Sequence, residues 1–96
     1  MPRAKSKSEE GRKAQFLLAE SYFMAKEYAT AALEFGEFKK NFPKDKQVAT
    51  ATYRQANAFR NMGKAKEARL FYQELIEKHP KSPLVAKAKQ EMKKLK

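Results

Sequence analysis

The chain holds one histidine, His79, and no cysteine. A protein metal centre draws several ligands from His, Cys and acidic side chains, so a lone His before Pro80 reads as a loop residue rather than a ligand. Without cysteine there is no disulfide, no thiolate site and no thiol nucleophile. The Ser and Thr hydroxyls have no His–Asp arrangement to activate them. Gly11, Gly36 and Gly63 stand apart and form no phosphate-cradling loop. Glu34 and Glu37 lie near Lys39 and Lys40 and read as a solvated helix face. These residues imply no catalytic centre, no metal and no cofactor.

The remaining chemistry is charge. Of 96 residues, 22 are Lys or Arg and 11 are Asp or Glu, a formal net charge of +11. The excess sits at the ends, in Arg3, Lys5, Lys7, Arg12 and Lys13, and in Lys87, Lys89, Lys93, Lys94 and Lys96. A nucleic-acid face would gather its cations on one structured surface, so a basic nucleic-acid-binding domain is the weaker alternative. Apolar residues make up 42% and charged residues 34%, as expected for a small folded domain. No run of 18 apolar residues would span a bilayer. Phe16 to Ala19 is too short for a signal-peptide core, so the chain shows no secretory signal.

The elements behind these residues repeat. Shifting the sequence by 37 positions aligns Ala14 with Ala51 and Ala88, Ala19 with Ala56, and Tyr22 with Phe59. The same shift aligns Ala31 with Ala68, Phe35 with Tyr72, Phe38 with Leu75, and Pro43-Lys44 with Pro80-Lys81. A fixed period of this length marks a stacked array of supersecondary units. Within each unit the matched residues recur at three- and four-residue steps, the spacing of one helix face. Ser6 with Glu9 has capping-box spacing. Gly63 suits a left-handed helix end. Pro43 and Pro80 follow helix ends. Asp45 and Ser82 suit N-caps, which puts Pro83 at a first helical position. Gly36, inside a helix, suggests a close contact between helices. The pattern predicts helices over 8–25, 28–41, 46–62, 64–78 and 83–95, with no strand. Short loops predict antiparallel neighbours.

These residues resemble the tetratricopeptide repeat. The first unit carries Leu18-Ala19, Tyr22, Ala31, Phe35 and Pro43, and the second carries Ala56, Phe59, Ala68, Tyr72 and Pro80 at the same intervals. Gln15, Thr52 and Gln55 depart from the motif, as do Phe38 and Leu75. The resemblance implies an all-α helix-hairpin superhelix of two full repeats plus a capping helix. It divides the chain into a basic segment over 1–8, repeats over 9–43 and 44–80, and a cap over 81–96. The segments Asn41-Phe42-Pro43-Lys44-Asp45 and Lys78-His79-Pro80-Lys81-Ser82-Pro83 look like a branch found in bacterial cell-envelope proteins. That branch includes the Tol-Pal cell-division coordinators and the BamD-type outer-membrane assembly lipoproteins.

That resemblance implies a non-enzymatic scaffold that binds a protein partner, in the periplasm or cell envelope, with the cytoplasm as the alternative. In such arrays the first helices of successive units line a concave groove. Counting from each unit's small residue places Lys13, Phe16, Glu20, Phe23 and Met24 there, then Thr50, Tyr53, Asn57, Arg60 and Asn61, then Lys87, Gln90 and Lys94. Such a groove is apolar at one end, polar in the middle and basic at the other, suiting a peptide or helix with an apolar anchor and acidic residues beyond. Phe16, Phe23 and Met24 equally fit a core stripe, Arg60 and Asn61 a solvated helix end, and Lys87 and Lys94 plain surface charge. Leu18 and Tyr22 are expected to serve packing within the first unit. Leu17, Phe16 and Phe23 could leave an apolar patch on a first helix that no unit covers, which points to weak homodimerisation.

Overall fold

A computed structural model describes residues 8–95. Among them are five helices and no strand: α1 (Glu9–Met24), α2 (Tyr28–Asn41), α3 (Val48–Asn61), α4 (Ala65–Lys78) and α5 (Leu84–Lys94). No helix among the described residues is long and apolar enough to cross a membrane. The helices pack as two hairpins, α1 with α2 and α3 with α4. The second hairpin stacks on the first through α3 against α2, and α5 closes the array over α4.

The helix ends follow from local chemistry. Ser6 lies outside the described residues, and the cap of α1 is Ser8, whose Oγ accepts from the Gly11 amide at 3.1 Å. This satisfies one of the amides a helix start leaves without an intrahelical partner. α3 begins two residues later than its sequence suggests. Asp45 caps a preceding turn instead, its Oδ1 accepting from the Gln47 amide at 2.8 Å and its carbonyl from the Val48 amide at 3.0 Å. Ser82 Oγ accepts from the Leu84 amide at 3.1 Å, with Pro83 in helical conformation beside it.

The 37-residue shift is also a geometric one. Lys26 and Gly63, 37 apart, both close a leading helix in left-handed conformation, at φ 66° and 77°. After each, the next amide reaches back over the turn, Glu27 to the Tyr22 carbonyl at 2.8 Å and Lys64 to Phe59 at 2.9 Å. Phe42 and His79 end the trailing helices with matching dihedrals, φ −133° in both and ψ 61° and 58°. The loops therefore aim each hairpin the same way.

Packing repeats with the geometry. Ala19 and Ala31 are fully buried in the first hairpin, as are Ala56 and Ala68 in the second. These small side chains let the paired helices approach, and rings fill the space beside them. Phe16 meets Phe35 and Phe38 edge-on at centroid distances of 5.6 and 5.2 Å. Tyr72 and Leu75 occupy the corresponding place in the second hairpin, joined by Tyr53 and Phe59.

Three expectations need correction. Phe16 is only 8% exposed, so it belongs to the core and not to an exposed patch. Leu18, at 39% exposure, is covered only in part and belongs to neither buried cluster, although it was expected to serve packing within the first unit. Lys39 is not on a solvated face. Its Nζ donates to Gln55 Oε1 at 2.7 Å and to Glu74 Oε2 at 2.9 Å, and lies 5.3 Å from the Phe71 ring centre. Gln55 in turn donates Nε2 to the Ala32 carbonyl at 3.0 Å. This chain of bonds explains why Gln55 departs from the repeat pattern, and why a glycine stands at 36. A Cβ there would lie 3.2 Å from Gln55 Nε2. The close contact suggested by Gly36 is thus with Gln55.

Candidate functional site

The leading helices come together on one side of the molecule. α1 approaches α3 and α3 approaches α5, whereas α2 and α4 make no comparable backbone approach. The stack therefore curves toward its leading helices, and their shared surface is its inner face.

Charged side chains span the seams of that face. Arg54 on α3 reaches α1, with Nε 3.2 Å from Glu20 Oε1 and the guanidinium carbon 5.6 Å from the Phe23 ring centre. Arg60 reaches α5, donating to Glu91 Oε1 at 2.8 Å. Phe23–Arg54 and Arg60–Glu91 occupy equivalent places, since each residue of the second pair lies 37 positions after its counterpart. A cation over a ring at one seam becomes an ion pair at the next. Arg60 Nε is enclosed and has no hydrogen-bond partner among the described residues.

The expected groove positions divide into three groups. Phe16 is buried beneath Phe35 and Phe38. Asn57 is also buried, its Oδ1 accepting from the Tyr72 hydroxyl. Both lie beneath the surface they were expected to line. Half-buried seam and wall residues form the second group: Glu20 and Arg60 in ion pairs, Phe23 edge-on to Tyr28 at 5.3 Å, Thr50, and Tyr53 against Tyr72 at 6.0 Å. The third group is open to solvent: Lys13, Met24 at 78% exposure, Asn61, Lys87, Gln90 and Lys94. Lys13 also pairs loosely with Glu9 at 4.0 Å. Arg60 is neither a solvated helix end nor a free cation, because Glu91 holds it.

Sequence reasoning missed Arg54 and Glu91. They are the 37-residue equivalents of Leu17, a row left out when positions were counted from the small residues. Tyr72 is also part of the site's foundation. Burial pushes its phenol up to about 12, with Glu91 and Tyr53 adding to the shift and Arg60 opposing it. It therefore stays protonated and donates to Asn57 at ordinary pH.

Two recesses lie at the edges of this surface. One of about 230 Å³ sits between Arg12, Lys13, Phe16, Leu17 and Gln47, where α1 and α3 begin. Another of about 440 Å³ is framed by Lys46, Lys78, His79 and Lys81 at the α4–α5 loop. No group of three or more His, Cys, Asp or Glu that could hold a metal occurs among the described residues.

No match is found among curated proteins. The tetratricopeptide repeat family model matches residues 13–45 and again 50–82, two segments offset by the same 37 positions. With its hairpins stacked at that period and its leading helices gathered on the inner face, the chain belongs to the tetratricopeptide repeat family, whose repeats generally mediate protein–protein interaction.

Proposed function

We propose that this chain is a non-catalytic scaffold that holds a peptide or helix of a partner protein against the inner face of its leading helices. What supports this reading is the mutual approach of α1, α3 and α5, the helices that carry the exposed Met24, Asn61, Lys87 and Lys94. Met24 with the ring of Phe23 offers an apolar anchor point. Lys87 and Lys94 offer positive charge at the far end. The arginines between are already paired with Glu20 and Glu91, so they shape the floor and leave partner charge to the α5 lysines. The preferred ligand is an extended or helical segment with one large apolar side chain followed by acidic residues. The Phe-Pro-Lys-Asp and His-Pro-Lys-Ser loops support a place in a bacterial cell-envelope system of the Tol-Pal kind.

Partner capture from a bacterial envelope extract tests this. The intact chain is compared with Met24→Glu and with the pair Lys87→Glu and Lys94→Glu. All three positions are exposed, so helicity should be unchanged. Loss of the same captured proteins in both variants supports the assignment. Identical capture by all three proteins refutes it.

A further inference from the structure

We infer that the outer face of α1 is a self-complementary contact surface, occupied by α1 of a second copy of this chain in antiparallel orientation. This surface is distinct from the inner face that carries the proposed partner site.

α1 carries apolar residues on two opposite sides. Its inward side carries Gln15, Phe16 and Ala19. Its opposite side carries Glu10, Ala14, Leu17, Leu18, Ser21 and Ala25, all exposed. A helix side that carries large apolar residues is normally covered. The repeat shows how this row is covered on the next leading helix. Ala14, Leu18 and Ser21 correspond to Ala51, Gln55 and Ala58 of α3, all three buried in the array. On α1 the same row faces solvent.

Two features identify the occupant as a second copy. First, the stripe reads alike in both directions. Around a midpoint between Leu17 and Leu18, small Ala14 balances small Ser21, and Glu10 falls opposite Ala25. Two such helices in antiparallel contact cross at leucine, with small residues on either side allowing close approach. Antiparallel alignment sets Glu10 against Ala25 of the other copy, whereas parallel alignment brings Glu10 against Glu10. Second, the other end of the array offers no apolar counterpart. The α5 positions that a further trailing helix would cover include Ala86, Gln90 and Lys93, all exposed and mostly polar. Head-to-tail stacking would set leucines against lysine and glutamine. The contact therefore closes on itself as a pair. A single helix face buries roughly 1,000 Å² in total, at the low end for specific interfaces, so the pair is a weak one, to be sought between about 10 µM and 1 mM.

Sedimentation equilibrium of the whole chain across that range is expected to show mass rising from one copy to two and stopping there. Leu18→Lys, or Ser21→Arg at an exposed position, should weaken association by about tenfold or more with helicity unchanged. Gln90→Glu should leave it unmoved. Because the chain has no cysteine, introduced thiols report the register. A mixture of Glu10→Cys and Ala25→Cys proteins should form a mixed disulfide on mild oxidation, in preference to either homodimer. A single-copy mass up to 1 mM, assembly beyond two copies, association insensitive to both Leu18→Lys and Ser21→Arg, or preferential Glu10→Cys homodimers would each overturn the inference.

Discussion

The contact between Gly36 and Gln55 allows a substitution whose sign depends on its neighbour. In a helix interior, alanine is more favourable than glycine by about 1 kcal/mol. At position 36 the added methyl would stand 3.2 Å from Gln55 Nε2, close enough to displace the carboxamide. That carboxamide holds a neutral bond to the Ala32 carbonyl and a charge-assisted one from Lys39. The first contributes about 1 kcal/mol and the second about 1.5–3 kcal/mol. Losing about 1.5–3 kcal/mol of that combined bonding outweighs the propensity gain, so Gly36→Ala should destabilise by roughly 0.5–2 kcal/mol. In a Gln55→Ala background the obstruction is absent, and the same Gly36→Ala change should stabilise by about 1 kcal/mol. The coupling energy is then about 1.5–3 kcal/mol, within the range of residues in direct contact. Urea unfolding of the four proteins, followed by far-ultraviolet circular dichroism, measures it. Equal effects of Gly36→Ala in the two backgrounds, within about 0.5 kcal/mol, would refute the reasoning.

Three further outcomes follow from the same geometry. Lys26 holds a left-handed conformation that its counterpart Gly63 adopts without a side-chain penalty, so Lys26→Gly should raise stability by about 0.5–1 kcal/mol in urea unfolding. Phe35 is fully buried against Phe16, and Phe35→Ala should cost about 3–5 kcal/mol, measurable as a lower urea midpoint. Tyr72 titrates near 10 when unfolded and about 12 when folded, so its stabilising contribution is complete below pH 10 and is lost as pH rises toward 12. Stability profiles from pH 8 to 12 should therefore fall more steeply for the native chain than for Tyr72→Phe.

Helix number, order and pairing were legible in the sequence because one interval, 37, governs both the small residues and the rings that pack beside them. Helix starts were less legible. Asp45 and Ser82 both have capping chemistry, yet each side chain accepts from the amide two residues on, within a turn just ahead of the helix, so the helix starts one or two residues later than the capping residue suggests. The candidate surface was half legible. Counting along the leading helices found residues by direction but could not tell Met24, which is open, from Phe16, which the second helix covers. Nor could it find the partners of Arg60 or Lys39. Their carboxylates lie 31 and 35 positions away, and only the approach of neighbouring helices brings them within reach. Polar departures from a repeat pattern, such as Gln55, were the one available signal of such a network.

The Lys39–Gln55–Glu74 chain has a thermodynamic consequence for how the array comes apart. Stacked repeats can melt piecemeal when the terms between neighbours are weak. Here one ammonium group is shared by three helices drawn from both hairpins. Fraying α4 leaves that cation with the neutral Gln55 carboxamide alone, and fraying α2 strands both the Glu74 carboxylate and the carboxamide. Each hairpin thus raises the penalty for opening the other, and slow amide exchange in α2 and α4 should rise together as a single cooperative unit.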